Sequence, residues 1–231
     1  MKHSPIGPAP SRQETLNGFG YLAFEILILP TILQWCNAQL DTPLNLAETN
    51  FVYYLINFMA MLVIFHSYLG RNFSEALRHP ILLCQAVILG LAAYYVSANL
   101  MNLLVGLLVP GFTNFNDEAI AVMEGSNSFL MLIGTVVLVP PAEECFFRGL
   151  VFRNLYGKNK WAAYGVSTLA FSILHILGYI GLYSPMELAM AVLQYLPAGI
   201  WLGWVYTKAG TIAAPIWMHA AVNFFAVSAL R

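Results

Sequence analysis

Apolar residues run along this chain in long blocks, without the alternation of a half-buried strand or the narrow stripe of a surface helix. FVYYLINFMAMLVIF lies between Glu48 and Arg71, and ILLCQAVILGLAAYYVSANLMNLLVGLLVP lies between Arg78 and Asp117. A helix that crosses a bilayer needs about 20 predominantly apolar residues. The first block suffices for one crossing, and the second for one long tilted crossing or a crossing with a short partial helix. Charge-poor stretches continue from Glu124 to Glu143, Lys160 to Glu187, Glu187 to Lys208 and Lys208 to Arg231, and FGYLAFEILILPTILQW adds a first span despite Glu25. Each counted once, the blocks predict seven spans, near 19–36, 50–68, 81–109, 127–153, 161–178, 186–207 and 212–229. The fold class expected is an all-α, polytopic integral-membrane helical bundle.

The polar positions between the blocks set an orientation. Lys2 and Arg12 precede the first span, Arg71 and Arg78 follow the second, Arg153, Lys158 and Lys160 follow the fourth, and Lys208 follows the sixth. The other loops carry Asp41, Glu48, Asp117, Glu118, Glu124 and Glu187 with no Lys or Arg, so the basic loops and the N-terminus are expected in the cytoplasm. Arg231 fits less well, because seven spans leave the C-terminus external. Residues 1–18 are polar and Pro-rich and read as a cytoplasmic tail, with nothing after them resembling a cleavable signal.

Composition narrows the class further. The 231 residues are 59% hydrophobic and only 9% charged, with a mean hydropathy of +0.70, whereas a soluble domain carries about a quarter charged residues. Disorder, a disulfide-framework domain and a nucleic-acid-binding surface are excluded. Cys36, Cys84 and Cys145 are an odd set without metal-ligand spacing and read as reduced packing residues.

Against that background, a charge or imidazole inside an apolar block is costly and points to pairing or function. In VLVPPAEECFFRGL, Pro140 and Pro141 suggest a helix break, with Glu143 and Glu144 in the first turn of the next segment, where free N–H groups favour carboxylates. Glu144 and Arg148 stand four apart and can pair, while Glu143 points about 100° away around the axis. One arginine neutralises one acid, so the second glutamate calls for another partner: a proton, a histidine, a metal or a polarised water. Two histidines are available, His175 in AFSILHILG and His219 in PIWMHAAVNFF, the latter one turn before Asn223. Three separate segments thus carry groups able to act as base, proton donor or ligand in one intramembrane polar chamber.

In order, EECFFR at 143–148, FSILH at 171–175 and HAAVN at 219–223 match the EExxxR, FxxxH and HxxxN elements of the CPBP family of intramembrane proteases, which the chain resembles over about residues 125–228. That family includes CAAX prenyl-protein proteases and the bacterial Abi-type proteins of bacteriocin processing and self-immunity. The resemblance implies about eight spans. It divides the chain into the tail, N-terminal transmembrane helices at 19–124 and a protease-like core at 125–231 of the same bundle. Glu143 is implied to activate the hydrolytic water with His175 nearby, Glu144 to support it under Arg148, and His219 and Asn223 to stabilise the oxyanion. The substrate implied is a membrane-associated peptide or membrane protein, lipidated or not, with membrane lipids as surroundings and a bacterial cell membrane as the location. Pro141, Phe147 and Phe171 are expected to shape and pack the helices.

Metal use stays open at this point. Glu143, His175, His219 and Asn223 offer N and O ligands of the kind zinc or another divalent ion takes, yet a metal-free glutamate mechanism suits the same residues. HExxH, rhomboid Gly-x-Ser-Gly and Gly-x-Gly-Asp patterns are absent. Two non-proteolytic readings compete: a binding or bacteriocin self-immunity protein that keeps the chamber as a satisfied polar core, and a proton-coupled transporter. His66 and His79 are expected at an interface or a cap, and Tyr53, Tyr54, Tyr94, Tyr95, Trp201, Trp204 and Tyr206 in packing and interface positions. Straight helices would put His175 about 22 Å beyond Trp161 and Glu143 about 15 Å from Arg153 at a rise of about 1.5 Å per residue, so their depths need not agree.

Overall fold

A computed structural model describes residues 6–230, which form helices and connecting turns; Lys2 and Arg231, used above for topology, lie outside them. The helices are α1 (Arg12–Leu27), α2 (Leu29–Ala38), α3 (Leu46–Arg78), α4 (Pro80–Leu108), α5 (Phe115–Ser126), α6 (Ser128–Tyr156), α7 (Lys160–Leu174), α8 (Pro185–Ala209) and α9 (Ala213–Ser228). Local sequence explains where they start. Ser11 with Glu14, Asn45 with Glu48 and Ser184 with Glu187 form reciprocal capping boxes on α1, α3 and α8. Asn159 caps α7, and α8 stops at Gly210, whose left-handed φ of 71° suits a residue without Cβ.

Four helices, α3, α4, α6 and α8, are long and apolar enough to cross a membrane, and α1 with α2, bent by 46°, makes a fifth if the pair is one span. Of the seven spans expected, four or five thus have the length for a crossing. The blocks at 161–178 and 212–229 form α7 with 15 residues and α9 with 16, and at about 1.5 Å per residue neither reaches across a core of about 30 Å. Each packs one face into the bundle, with Ala213, Ala214, Pro215, Ile216, Met218 and His219 of α9 all buried, while Trp161, Val166 and Leu169 of α7 and Trp217, Phe224 and Phe225 of α9 stay exposed. Outward faces elsewhere are apolar and open, as at Val63 and Leu107, each 73% exposed, the pattern of helices surrounded by lipid.

The expected break at Pro140 and Pro141 is also corrected, because α6 is continuous. Two π-helical segments, Ile133–Leu138 and Cys145–Phe152, flank a regular turn at Val139–Glu144. The wider register, seen in the Val139 N–H donated to Gly134 O, accommodates rings that would otherwise collide with carbonyls of the preceding turn. Glu143 and Glu144 therefore sit inside one helix and not at the N-terminus of a new one. In this register the next carbonyl, Thr135 O, faces Pro140, which has no N–H. The Asn223 side chain from α9 donates to Thr135 O at 2.8 Å and supplies the missing bond.

Two packed clusters hold α6 on different faces. Phe146, Leu150 and Phe152 pack with Met61, Phe65 and Tyr68 of α3 and with Tyr206, while Phe147 packs with Phe171, Leu202, Val205 and Met218. The approach of α7 to α8 depends on Gly199, where a Cβ would lie 2.6 Å from Thr168 Cγ2 and 3.0 Å from its Cα. Small residues permit such contact between membrane helices. At one end of the bundle, Gly7 N–H donates to Gly210 O at 2.8 Å, and Arg71 and Arg153 donate to Ala9 O and Gly7 O. The basic segments thus share one end with the N-terminal residues. Among the cysteines, all free, Cys145 is buried as expected, whereas Cys36 and Cys84 are exposed on helix surfaces.

Candidate active site

Between α1, α3, α4, α5, α6, α7, α8 and α9 lies a cavity of about 850 Å³. Glu143, His175, His219 and Asn223, drawn from three separate helical segments in the sequence, all line it. The depth mismatch expected for straight helices does not arise. α7 is pinned to α6 by Ser167 Oγ–H donating to Phe147 O at 2.9 Å, and His175 caps the end of α7, where it lines the same cavity as Glu143.

Glu144 and Arg148 stand behind the chamber wall. Both are fully buried, and Arg148 Nη1–H donates to Glu144 Oε1 at 2.9 Å, as their spacing predicts. The same oxygen lies 2.9 Å from His219 Nδ1, so one carboxyl holds both the arginine and the imidazole. Arg148 Nη2–H reaches Gly199 O at 3.2 Å, and its guanidinium lies 4.6 Å from the centre of the Phe171 ring, a cation–π distance. Phe171 meets Phe147 edge-on at 5.6 Å. Both rings are therefore packing groups, as expected, with Phe171 also supporting the arginine.

His175 is held differently. Its Nδ1 lies 2.8 Å from Phe171 O in its own helix, and its ring packs on Tyr195 at 4.3 Å between centroids. With Nδ1 on a carbonyl, Nε2 is the nitrogen left for the chamber. Glu143 differs in lining the cavity without an ion pair among the described residues; its buried Oε2 has no hydrogen-bond partner, as is also true of Glu144 Oε2 behind the wall. A buried carboxyl without a partner is a costly arrangement that a bound molecule or water relieves.

The candidate metal set does not assemble. Among the described residues no three His, Cys, Asp or Glu side chains come together closely enough to hold an ion. His219 Nδ1 is committed to Glu144 and Asn223 Nδ2 to Thr135 O, so Glu143, His175, His219 and Asn223 surround the chamber without converging on one point as ligands would.

Several groups in the chamber were not assigned there by sequence patterns. Glu25, 5% exposed, accepts from Tyr53 Oη–H at 3.1 Å and Asn57 Nδ2–H at 3.0 Å. Tyr53, Tyr54 and Tyr94, read as packing or interface residues, line the cavity, as does Asp117, read as a loop charge. Burial pushes the Asp117 carboxyl up from its ordinary value, opposed by His175 and by a hydrogen bond with Tyr195. The available signal was polarity within apolar blocks, which applied to Glu25 and Asn57 but not to Asp117 at the end of one. His66 and His79 keep their minor roles: His66 bonds within its own helix, and His79 links α3 to α4.

Residues 125–225 match the family model described as Type II CAAX prenyl endopeptidase Rce1-like. The matched segment contains Glu143, Glu144, Arg148, His175, His219 and Asn223. Comparisons with curated proteins and with solved structures give no significant match.

Proposed function

We propose that this chain, classed by its residues 125–225 with the CAAX-type membrane proteases, is an intramembrane endopeptidase that uses Glu143 to activate water. The observation carrying this reading is the shared chamber, in which Glu143 keeps an unpartnered oxygen while His175, His219 and Asn223 face the same space. A peptide from a membrane-associated substrate, lipidated or not, enters the chamber. Glu143 takes a proton from water, and the hydroxide adds to the scissile carbonyl carbon. His175 Nε2 positions that water. Protonated His219, its Nδ1–H held by Glu144, donates Nε2–H to the tetrahedral oxyanion, and the Asn223 N–H not used by Thr135 O adds a second donor. The proton on Glu143 then passes to the amide nitrogen as the C–N bond breaks, releasing an amine and a carboxylic acid. Arg148 fixes Glu144 and so acts through it, as a positioning residue.

The N-terminal segment and the basic loops lie on the cytoplasmic side in this reading, supported by their gathering at one end of the bundle. The decisive assay uses purified protein in liposomes with membrane-anchored peptides. Wild-type protein produces two fragments and Glu143→Gln produces none while retaining its thermal unfolding profile; full cleavage by that variant would refute the mechanism.

A further inference from the structure

The chamber contains a second carboxylate that the hydrolytic scheme leaves idle. Glu25 lies on α1, outside the segment matched by the family model, and lines the same cavity as Glu143. Its geometry is built: Tyr53 and Asn57 both donate to Oε1, and Tyr21 Oη–H donates to Asn57 Oδ1 at 2.7 Å, which orients the asparagine amide toward the acid. The other oxygen, Oε2, is buried and has no partner. Two donors on one oxygen hold the group as an acceptor, and the vacant lone pairs of the second have nothing to receive. A free buried carboxylate oxygen of this kind is costly unless a donor or cation arrives.

The charge balance of the chamber says which donor fits. Glu25, Asp117 and Glu143 line it, and no Lys or Arg among the described residues does. Arg148 is shut behind the wall by Glu144, and the two histidines are the basic groups present. An incoming anionic group meets like charge, whereas an ammonium or guanidinium meets opposite charge in a poorly hydrated space, where such pairing is strong.

We infer that Glu25 is a specificity residue whose free carboxylate oxygen receives a lysine or arginine side chain of the peptide, so that the protein selects cationic segments. This rests on the proteolytic reading for its biological meaning, but it is tested separately by binding. The probes are palmitoylated decapeptides of alanine and leucine with one Lys, norleucine or Glu placed at each position in turn, presented in neutral phosphatidylcholine vesicles. Binding is measured to the Glu143→Gln protein and to the double variant that also carries Glu25→Gln, which keeps the shape and can still accept from Tyr53 and Asn57.

The Lys peptide at one or two adjacent positions is expected to bind Glu143→Gln about tenfold or more tightly than its norleucine counterpart. The double variant loses that preference while binding norleucine peptides unchanged. Equal binding of Lys and norleucine peptides at every position, a preference for Glu, or a Lys preference that survives Glu25→Gln each overturns the inference. Cleavage of the same peptides by wild-type protein then separates the two proposals. Selective binding without cleavage by wild type counts against the peptidase alone, and cleavage without charge preference counts against the role of Glu25 alone.

Discussion

Glu143 and Glu144 are adjacent in the chain and have opposite surroundings. Glu144 is fully buried behind the chamber, with one oxygen held by Arg148 and His219 at 2.9 Å each. Glu143 turns into the chamber and has no ion pair there, although both acids keep a buried Oε2 without a hydrogen-bond partner. A rotation of about 100° per residue on one helix is enough to separate them. The same carboxyl group thus organises a wall when it is paired with cations, and in the proposed mechanism it is the acid without such a pair that activates water.

The difference can be broken most strongly at its reactive side. Glu143→Gln is expected to lower peptide cleavage by roughly 100- to 10,000-fold, with little change in stability, as measured by fragment yield and thermal unfolding in the same detergent. Loss of folding in place of loss of rate would show that Glu143 belongs with the wall.

The paired side responds in stability. Arg148→Ala leaves Glu144 buried without its main cation, and a cost of about 3–5 kcal/mol is expected from denaturant unfolding. Arg148→Lys should recover only part of it, because a single ammonium cannot reproduce the guanidinium geometry that reaches both Glu144 Oε1 and Gly199 O. Wild-type stability in Arg148→Ala would show that Glu144 needs no cation.

Asn223 joins the two sides, since it completes the π-helical backbone of α6 and faces the chamber. Asn223→Ala leaves Thr135 O without its donor, at about 1–3 kcal/mol, and lowers kcat as well. A fall in kcat with no change in unfolding would argue against the backbone role. The smallest effect is expected far from both acids: Leu107→Ala, on an open face of α4, should alter stability by no more than about 0.5 kcal/mol and leave cleavage rates unchanged.

Much of the site is legible in linear spacing, and the parts that are not share a cause. Glu144 and Arg148 are four residues apart, so helical geometry alone predicts their bond. His219 joining the same carboxyl depends on α9 packing beside α6, which no local pattern encodes. Asn223 sits one turn from His219, yet its bond to Thr135 O exists because Pro140 removes a donor 83 positions earlier in the chain. At α7 and α9 the apolar blocks were legible but the helix lengths were not, since hydropathy shows neither where a helix ends nor whether its apolar residues face lipid or pack inside a bundle.

Composition and block length are sufficient to establish an apolar helical bundle, because lipid requires every backbone polar group to be satisfied within helices. Motif order is sufficient to nominate six polar residues. Packing assigned their places: it put Glu144 and Arg148 behind the wall, set Glu143, His175, His219 and Asn223 around one cavity, and brought Glu25 and Asp117 in from segments without a motif. The physical reason is that a carboxylate's role depends on which donors and cations surround it, and those come from helices distant in the chain.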